Sequence, residues 1–211
     1  FLKNENKALQ VCKKLKKSNI ESIPVKIDLE SSKSIKDAVQ FVMKKLGPIN
    51  ILVNNAAIHI DNDFLNISEQ EWDKIYNINI KAPFILTQQV LPNMLEKRYG
   101  KIINISSIAA SIGGVKSIPY AGAKASLVNL TRSLARLYSS KKVYTFCINP
   151  SLVKTDMSKG IDFSKAIKSI PAKRIGEYND ISKLVLFLCG DDASYLSGQT
   201  FNSNGAEYFA V

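Results

Sequence analysis

Short β-branched, apolar runs alternate with longer stretches of helical periodicity along most of this chain, and that alternation leaves few folds open. Ile49-Asn-Ile-Leu-Val53, Lys101-Ile-Ile-Asn-Ile105, Val143 to Ile148 and Thr200-Phe-Asn-Ser203 read as strands. Ser22 to Leu29 reads as a further strand, ending at Asp28. Helical spacing predicts a helix over 4–17, with Ala8, Leu9, Val11, Cys12 and Leu15 turned inward. A second helix, over 32–45, carries Ile35, Ala38, Val39 and Val42 on its apolar face, with Ser32 or Ser34 as its cap and Gly47-Pro48 as its stop. Ser68-Glu-Gln-Glu71 has capping-box spacing and opens a helix running to Leu91. Ala121 to Arg136 and Asp180 to Cys189 complete the set. Continuous apolar strands separated by helices imply a parallel sheet covered on both faces, the doubly wound α/β class. The 211 residues suffice for one domain with a sizeable core, and no linker divides them.

Composition narrows the function. No apolar run approaches the roughly 18 residues that span a membrane, and no signal peptide is visible at the N-terminus given, so a cytoplasmic protein is expected, with an organelle as the alternative should a targeting peptide precede this sequence. Cys12, Cys147 and Cys189 are odd in number and widely spaced, which suits buried thiols in a reducing compartment better than disulfides. His59 is the single histidine, so a histidine-based metal site is not expected. The net charge of +11 comes from lysines spread along the helices. It reads as a solvated surface, or as a basic patch that docks an acidic partner. No aromatic-interleaved basic motif points to nucleic acid.

The chemistry is concentrated in Ser106 to Lys124, S-S-I-A-A-S-I-G-G-V-K-S-I-P-Y-A-G-A-K, between a buried strand and a helix. Tyr120 and Lys124 stand four residues apart, on one helix face. A phenol with a pKa of about 10 exchanges protons poorly near neutrality, and a neighbouring ammonium is expected to draw that pKa down. A serine hydroxyl facing them can hydrogen-bond a carbonyl oxygen. Together these groups polarise a ketone and protonate its oxygen while a hydride attacks its carbon. Taken alone, a tyrosine and a lysine at this spacing more often mean a solvated lysine beside a packed ring.

Several motifs around this segment lift it above that bland reading. Ser107 lies thirteen residues before Tyr120. Asn54-Asn55-Ala56-Ala57 follows a strand, Asn79 sits in W-D-K-I-Y-N-I-N-I, and Pro150-Ser-Leu-Val-Lys-Thr-Asp-Met157 follows another strand. Ile170 to Gly176, Tyr195 to Gln199 and Asn204-Gly205-Ala206 add further landmarks. From about Asp28 onward the chain resembles the short-chain dehydrogenase/reductase family, and within it the 3-oxoacyl-[acyl-carrier-protein] reductases. The resemblance implies a Rossmann-like fold and a catalytic set of Asn79, Ser107, Tyr120 and Lys124. Ser107 and Tyr120 would hold the substrate carbonyl, Tyr120 would act as general acid, and Lys124 would bind the nicotinamide ribose. Asn79 would hold a water for proton relay. Asp28 and Leu29 would meet the adenine, and Asn55, Val153 and Thr155 would lie along the rest of the cofactor. Asn54 is expected to tie neighbouring strands through its amide. The implied cofactor is NADPH, with NADH as the alternative, and the implied substrate is a 3-oxoacyl thioester, carried on an acidic acyl carrier protein. Homodimers or homotetramers are expected, pairing through helices around 70–96 and 121–137.

Ala57 and Ser151 stand where the family has glycines, and the glycine-rich turn that cradles a pyrophosphate is absent from the sequence. The domain is therefore expected to lack the family's first strand, glycine-rich turn and first helix. Two readings follow from this. One is a reductase, and the other is a catalytically silent member or fragment that serves as an interaction subunit. The complete Asn79, Ser107, Tyr120 and Lys124 set favours the first.

Overall fold

The apolar runs pair side by side, because a buried backbone can satisfy its polar groups only through a neighbouring strand; the two middle runs, around 100–105 and 143–150, are the buried ones, while Ile51 and Val53 at the sheet edge are each 40% exposed. The computed structural model describes residues 1–158 and 160–209. Its sheet holds β1 (Ile51–Asn54), β2 (Gly100–Ile105), β3 (Val143–Pro150) and β4 (Thr200–Ser203) in that order, each pair parallel. The helices are α1 (Glu5–Lys17), α2 (Ser32–Leu46), α3 (Glu69–Tyr76), α4 (Ala82–Lys97), α5 (Ala109–Ile112), α6 (Ile118–Tyr138), α7 (Phe163–Ser169) and α8 (Tyr178–Cys189).

Strand alternation sends successive side chains to opposite layers. Ile102 and Val143 pack against Val39 of α2 and Val90 and Met94 of α4. Ile103, Ile105, Phe146 and Ile148 pack on the other face, against Leu188 of α8. Each such fully buried side chain contributes about 1.5–3 kcal/mol. The sheet is thus covered on both sides and has the Rossmann-like architecture expected of it. Its register aligns the carboxyl ends of β1, β2 and β3, so the loops leaving those strands converge.

A buried polar ladder fixes this register. Asn54 Nδ2 donates to Asn104 Oδ1 at 2.8 Å, and Asn104 Nδ2 donates to Thr131 Oγ1 at 2.9 Å. Thr145 Oγ1 donates to the Thr131 carbonyl at 2.8 Å, so β1, β2, β3 and α6 share one network. Asn54 therefore ties neighbouring strands as its amide chemistry predicts.

The N-terminal expectations need correction. Ser22 to Asp28 forms no strand and Leu29 lies in a turn, because no strand among the described residues lies alongside the segment. Phe1 bridges to it, donating from its ammonium to Val25 O at 2.8 Å and accepting from Ile27 N at 2.9 Å. Helix α1 forms at the predicted place but buries none of its residues. Leu9 is 40% exposed and Val11 56%, while Ala8, Cys12 and Leu15 of the predicted stripe are half-buried. The cap of α2 is Ser31, whose side chain accepts from Ser34 N, while Ser34 Oγ accepts from Asp28 N. The single helix predicted to follow Ser68 is two helices joined by one π-helical turn over Asn77–Lys81. Its predicted capping box is present, with Ser68 and Glu71 in reciprocal hydrogen bonds. Cys12, Cys147 and Cys189 are free thiols. Among the described residues, no helix is long and apolar enough to cross a membrane, and no cluster of ligating side chains could hold a metal ion.

Candidate active site

The two serines that leave β2 take different places. Ser106 is buried, and its Oγ donates to the Lys124 carbonyl at 2.8 Å. Its N–H extends the ladder to Ile148 O at 2.7 Å. Ser107 is half-buried, and its Oγ accepts from Ala109 N at 3.2 Å, where α5 opens. Ser106 is thus a fastener between β2 and α6, while Ser107 keeps its hydroxyl at the site.

Helix α6 starts with Pro119 in its first turn, where a fixed φ suits the helix and a missing N–H costs nothing. Tyr120 and Lys124 follow on one face. Gly122 lies between them, and a Cβ there would stand 2.6 Å from the Tyr76 hydroxyl. Glycine at this position lets α3 close against α6.

Lys124 is 2% exposed. Its Nζ donates to the Ile105 carbonyl at 2.7 Å and lies 5.5 Å from the Tyr120 ring centroid. Burial pulls the Lys124 ammonium down to about 8, with the nearby Cys147 thiol acting weakly in the other direction. Burial also pushes the Tyr120 phenol above its ordinary value, opposed by the Ser107 hydroxyl. This corrects the sequence expectation that the lysine would draw the phenol down. Desolvation outweighs every other influence on the ring, and the ammonium is turned to Ile105. Tyr120 is consequently a protonated phenol at neutral pH, the form that can give a proton away.

Asn79 is fully buried in the π-helical turn. Its Nδ2 donates to Ile58 O at 2.9 Å and its Oδ1 accepts from Ile58 N at 3.1 Å. The side chain is thereby committed to bracing the loop that leaves β1. Asn55 is exposed at the start of that loop. Val153 forms an isolated parallel bridge with Gly176, and the Thr155 backbone is held by Ser158 Oγ on both its N–H and its carbonyl. A groove of about 580 Å³ adjoins this segment, lined in part by Lys154, Thr155, Asp156, Ser158 and Tyr178. Asp28 and Leu29 make contacts with α2 and α4: Asp28 N donates to Ser34 Oγ of α2 at 2.9 Å, and Leu29 packs near Ile35, Ala82 and Ile85.

Ser107, Tyr120, Lys124 and the loop braced by Asn79 therefore meet at the carboxyl end of the sheet. One residue there was not singled out for the site from sequence. His59 lies next to Ile58 and packs edge-on against the Tyr120 ring, with centroids 4.9 Å apart. It stands two residues after Asn54-Asn55-Ala56-Ala57, and no local pattern ties it to Tyr120.

A parallel sheet that places a serine, a protonated tyrosine and a buried ammonium at its carboxyl end defines an oxidoreductase of the Rossmann-like class. The chain belongs to the short-chain dehydrogenase family, whose family model, described as short chain dehydrogenase, matches residues 1–165. It is 33% identical to the 3-oxoacyl-[acyl-carrier-protein] reductase FabG of Staphylococcus epidermidis over 208 residues, covering 97% of this chain and 85% of that protein. It is 36% identical over 205 residues to the FabG of Buchnera aphidicola subsp. Baizongia pistaciae, covering 96% of this chain and 83% of the relative. Among solved structures, a blue fluorescent protein from a metagenomic library, in complex with NADPH, superposes with a TM-score of 0.92 at 27% identity. That match covers 98% of this chain and 85% of the other.

Proposed function

We propose that this chain is a cytoplasmic NADPH-dependent carbonyl reductase acting on a 3-oxoacyl thioester, presented on an acyl carrier protein, in fatty-acid synthesis. The observation that carries the reading is the meeting of Ser107, Tyr120 and Lys124 where the β2 loop faces α6. The names of the FabG relatives support the substrate, and the NADPH-bound structural neighbour supports the cofactor over NADH. The net charge of +11 suits an acidic carrier.

The donor set fits the nicotinamide half of the cofactor. An ammonium has three donors, and Lys124 shows one of them committed, to Ile105, which leaves capacity for ribose hydroxyls. Asn55, Val153 and Thr155 would flank the same molecule, and Asp28 and Leu29 would meet its adenine. When bound, the cofactor supplies the hydride that adds to the keto carbon. Ser107 donates a hydrogen bond to the keto oxygen and polarises the carbonyl. Tyr120 gives its phenolic proton to that oxygen as negative charge develops on it. Lys124, with a water held beside Asn79, returns a proton from solvent to the phenolate. The product is the 3-hydroxyacyl thioester.

Pairing of copies through the outer faces of α4 and α6 into dimers or tetramers belongs to the same proposal. Phe84 and Leu137 are exposed there, and a groove of about 490 Å³ runs between Tyr76, Phe84 and Leu130. A second reading, a silent interaction subunit, is supported by the lack of a glycine-rich turn in the sequence and by the exposed Leu9 and Val11 of α1.

Titration of NADPH and NADH against the chain, followed by nicotinamide fluorescence, separates the two readings. Saturable binding, with acetoacetyl-thioester reduction that Tyr120→Phe abolishes, is the expected result. A folded chain that binds neither nucleotide refutes the self-sufficient reductase.

A further inference from the structure

The loop after β1 is fastened at both ends. Asn79 clamps the N–H and carbonyl of Ile58, and Asn62 N donates to Lys116 O at 2.8 Å. The second tie reaches the connection that leads directly into Tyr120. His59 lies between these fastenings. Its ring stands at 85° to the Tyr120 ring, an edge-to-face arrangement, and its Nδ1 is 3.4 Å from Asp61 Oδ1. A carboxylate on one ring nitrogen fixes the orientation of an imidazole. Edge-to-face contact in turn limits where the partner ring can sit. The side chain of His59 is 34% exposed, so it is the layer between the phenol and solvent on this side.

We propose that His59, oriented by Asp61, is a positioning residue that walls Tyr120 from water and holds its phenol facing Ser107. Tyr120 is approached by Lys124 from its own helix, by Ser107 from the β2 loop and by His59 from the β1 loop. Of these three, only His59 contacts the ring without contributing to the proton path described above. Its work is steric and dielectric. It keeps water off the ring and the phenol hydroxyl aimed at Ser107. The catalytic arm of this inference rests on the reductase reading, while its structural arm does not.

The chain has one histidine, so carbon-13-labelled histidine gives a spectrum of His59 alone. Replacing Tyr120 with leucine removes the neighbouring ring current and is expected to move the imidazole cross-peaks, whereas Tyr120→Phe retains the ring and leaves them near their place. Phenolate absorbance, read as the difference from Tyr120→Phe, then follows ionisation of Tyr120. His59→Ala admits water and is expected to bring the burial-raised phenol back toward the ordinary tyrosine value. His59→Phe keeps an aromatic wall and leaves it raised. Asp61→Ala, which frees the imidazole, shifts it in the same direction as His59→Ala by a smaller amount. In the reductase assay, His59→Ala lowers kcat several-fold with the cofactor KM unchanged, and His59→Phe restores it. Unmoved cross-peaks in Tyr120→Leu, or a phenol titration indifferent to His59→Ala, overturn the proposal. An inactive wild-type chain refutes the reductase reading, and the spectra still decide the role of His59.

Discussion

Replacing Lys124 with methionine tests the electrostatics of the site through stability alone. The ammonium is 2% exposed, and burial lowers its pKa from 10.5 to about 8. A folded-state pKa below the unfolded one means that the unfolded chain binds the extra proton. The wild-type fold therefore gains stability as pH rises from about 8 to about 10.5, and loses that contribution as pH falls through the folded value. The full shift corresponds to roughly 3 kcal/mol, of which roughly 1 kcal/mol is recovered between about pH 7 and about pH 9. Methionine fills a similar volume and carries no proton, so Lys124→Met lacks this slope. It also leaves the Ile105 carbonyl without its 2.7 Å donor, an offset of about 1–3 kcal/mol that does not vary with pH. Cys147, whose thiol burial pushes up to about 11, contributes the opposite slope above pH 9 in both proteins, and to first order it cancels in their difference. Urea unfolding of both proteins at about pH 7 and about pH 9 provides the comparison. The wild type is expected to gain about 1 kcal/mol on the variant across that interval. A difference that stays flat, or changes in the other direction, would show that Lys124 is not desolvated as its surroundings require.

The two serines after β2 should separate cleanly. Ser107→Ala is expected to cut acetoacetyl-thioester turnover by about 10²–10³ with little change in unfolding midpoint, as loss of a single carbonyl-directed donor does. Ser106→Ala, which loses the bond to the Lys124 carbonyl, is expected to cost about 1 kcal/mol of stability in urea unfolding. Gly100→Ala would place its Cβ 2.7 Å from both Cβ and Sδ of the fully buried Met94, an overpacking cost of about 1–3 kcal/mol. Adding Met94→Ala to that variant should recover part of the loss, and an additive double variant would refute the clash.

Much of the site was legible because its chemistry is local. Tyr120 and Lys124 share a face simply by being four residues apart on a helix, and Ser107 follows a strand whose β-branched residues mark where it ends. The Asn54 tie was legible from an amide at the end of a buried strand. His59 was not legible, since its partner lies sixty-one residues away and no local pattern links the two. Nor was the separation of Ser106 from Ser107, which depends on which hydroxyl finds the Lys124 carbonyl.

The sequence by itself determined the parallel α/β order, the placement of β1 to β4 and the grouping of the tyrosine with its lysine. These follow from side-chain periodicity and chain direction, which act over a few residues. Only the tertiary structure decided whether an extended segment becomes a strand. Ser22 to Leu29 has the residues for one, but among the described residues no strand lies alongside to complete its ladder, and strand pairing is a property of two segments. The tertiary structure also decided the direction of the Tyr120 shift. Burial raises the phenol and the Ser107 hydroxyl opposes it, while the Lys124 ammonium is turned to Ile105, an arrangement that depends on how the loops pack.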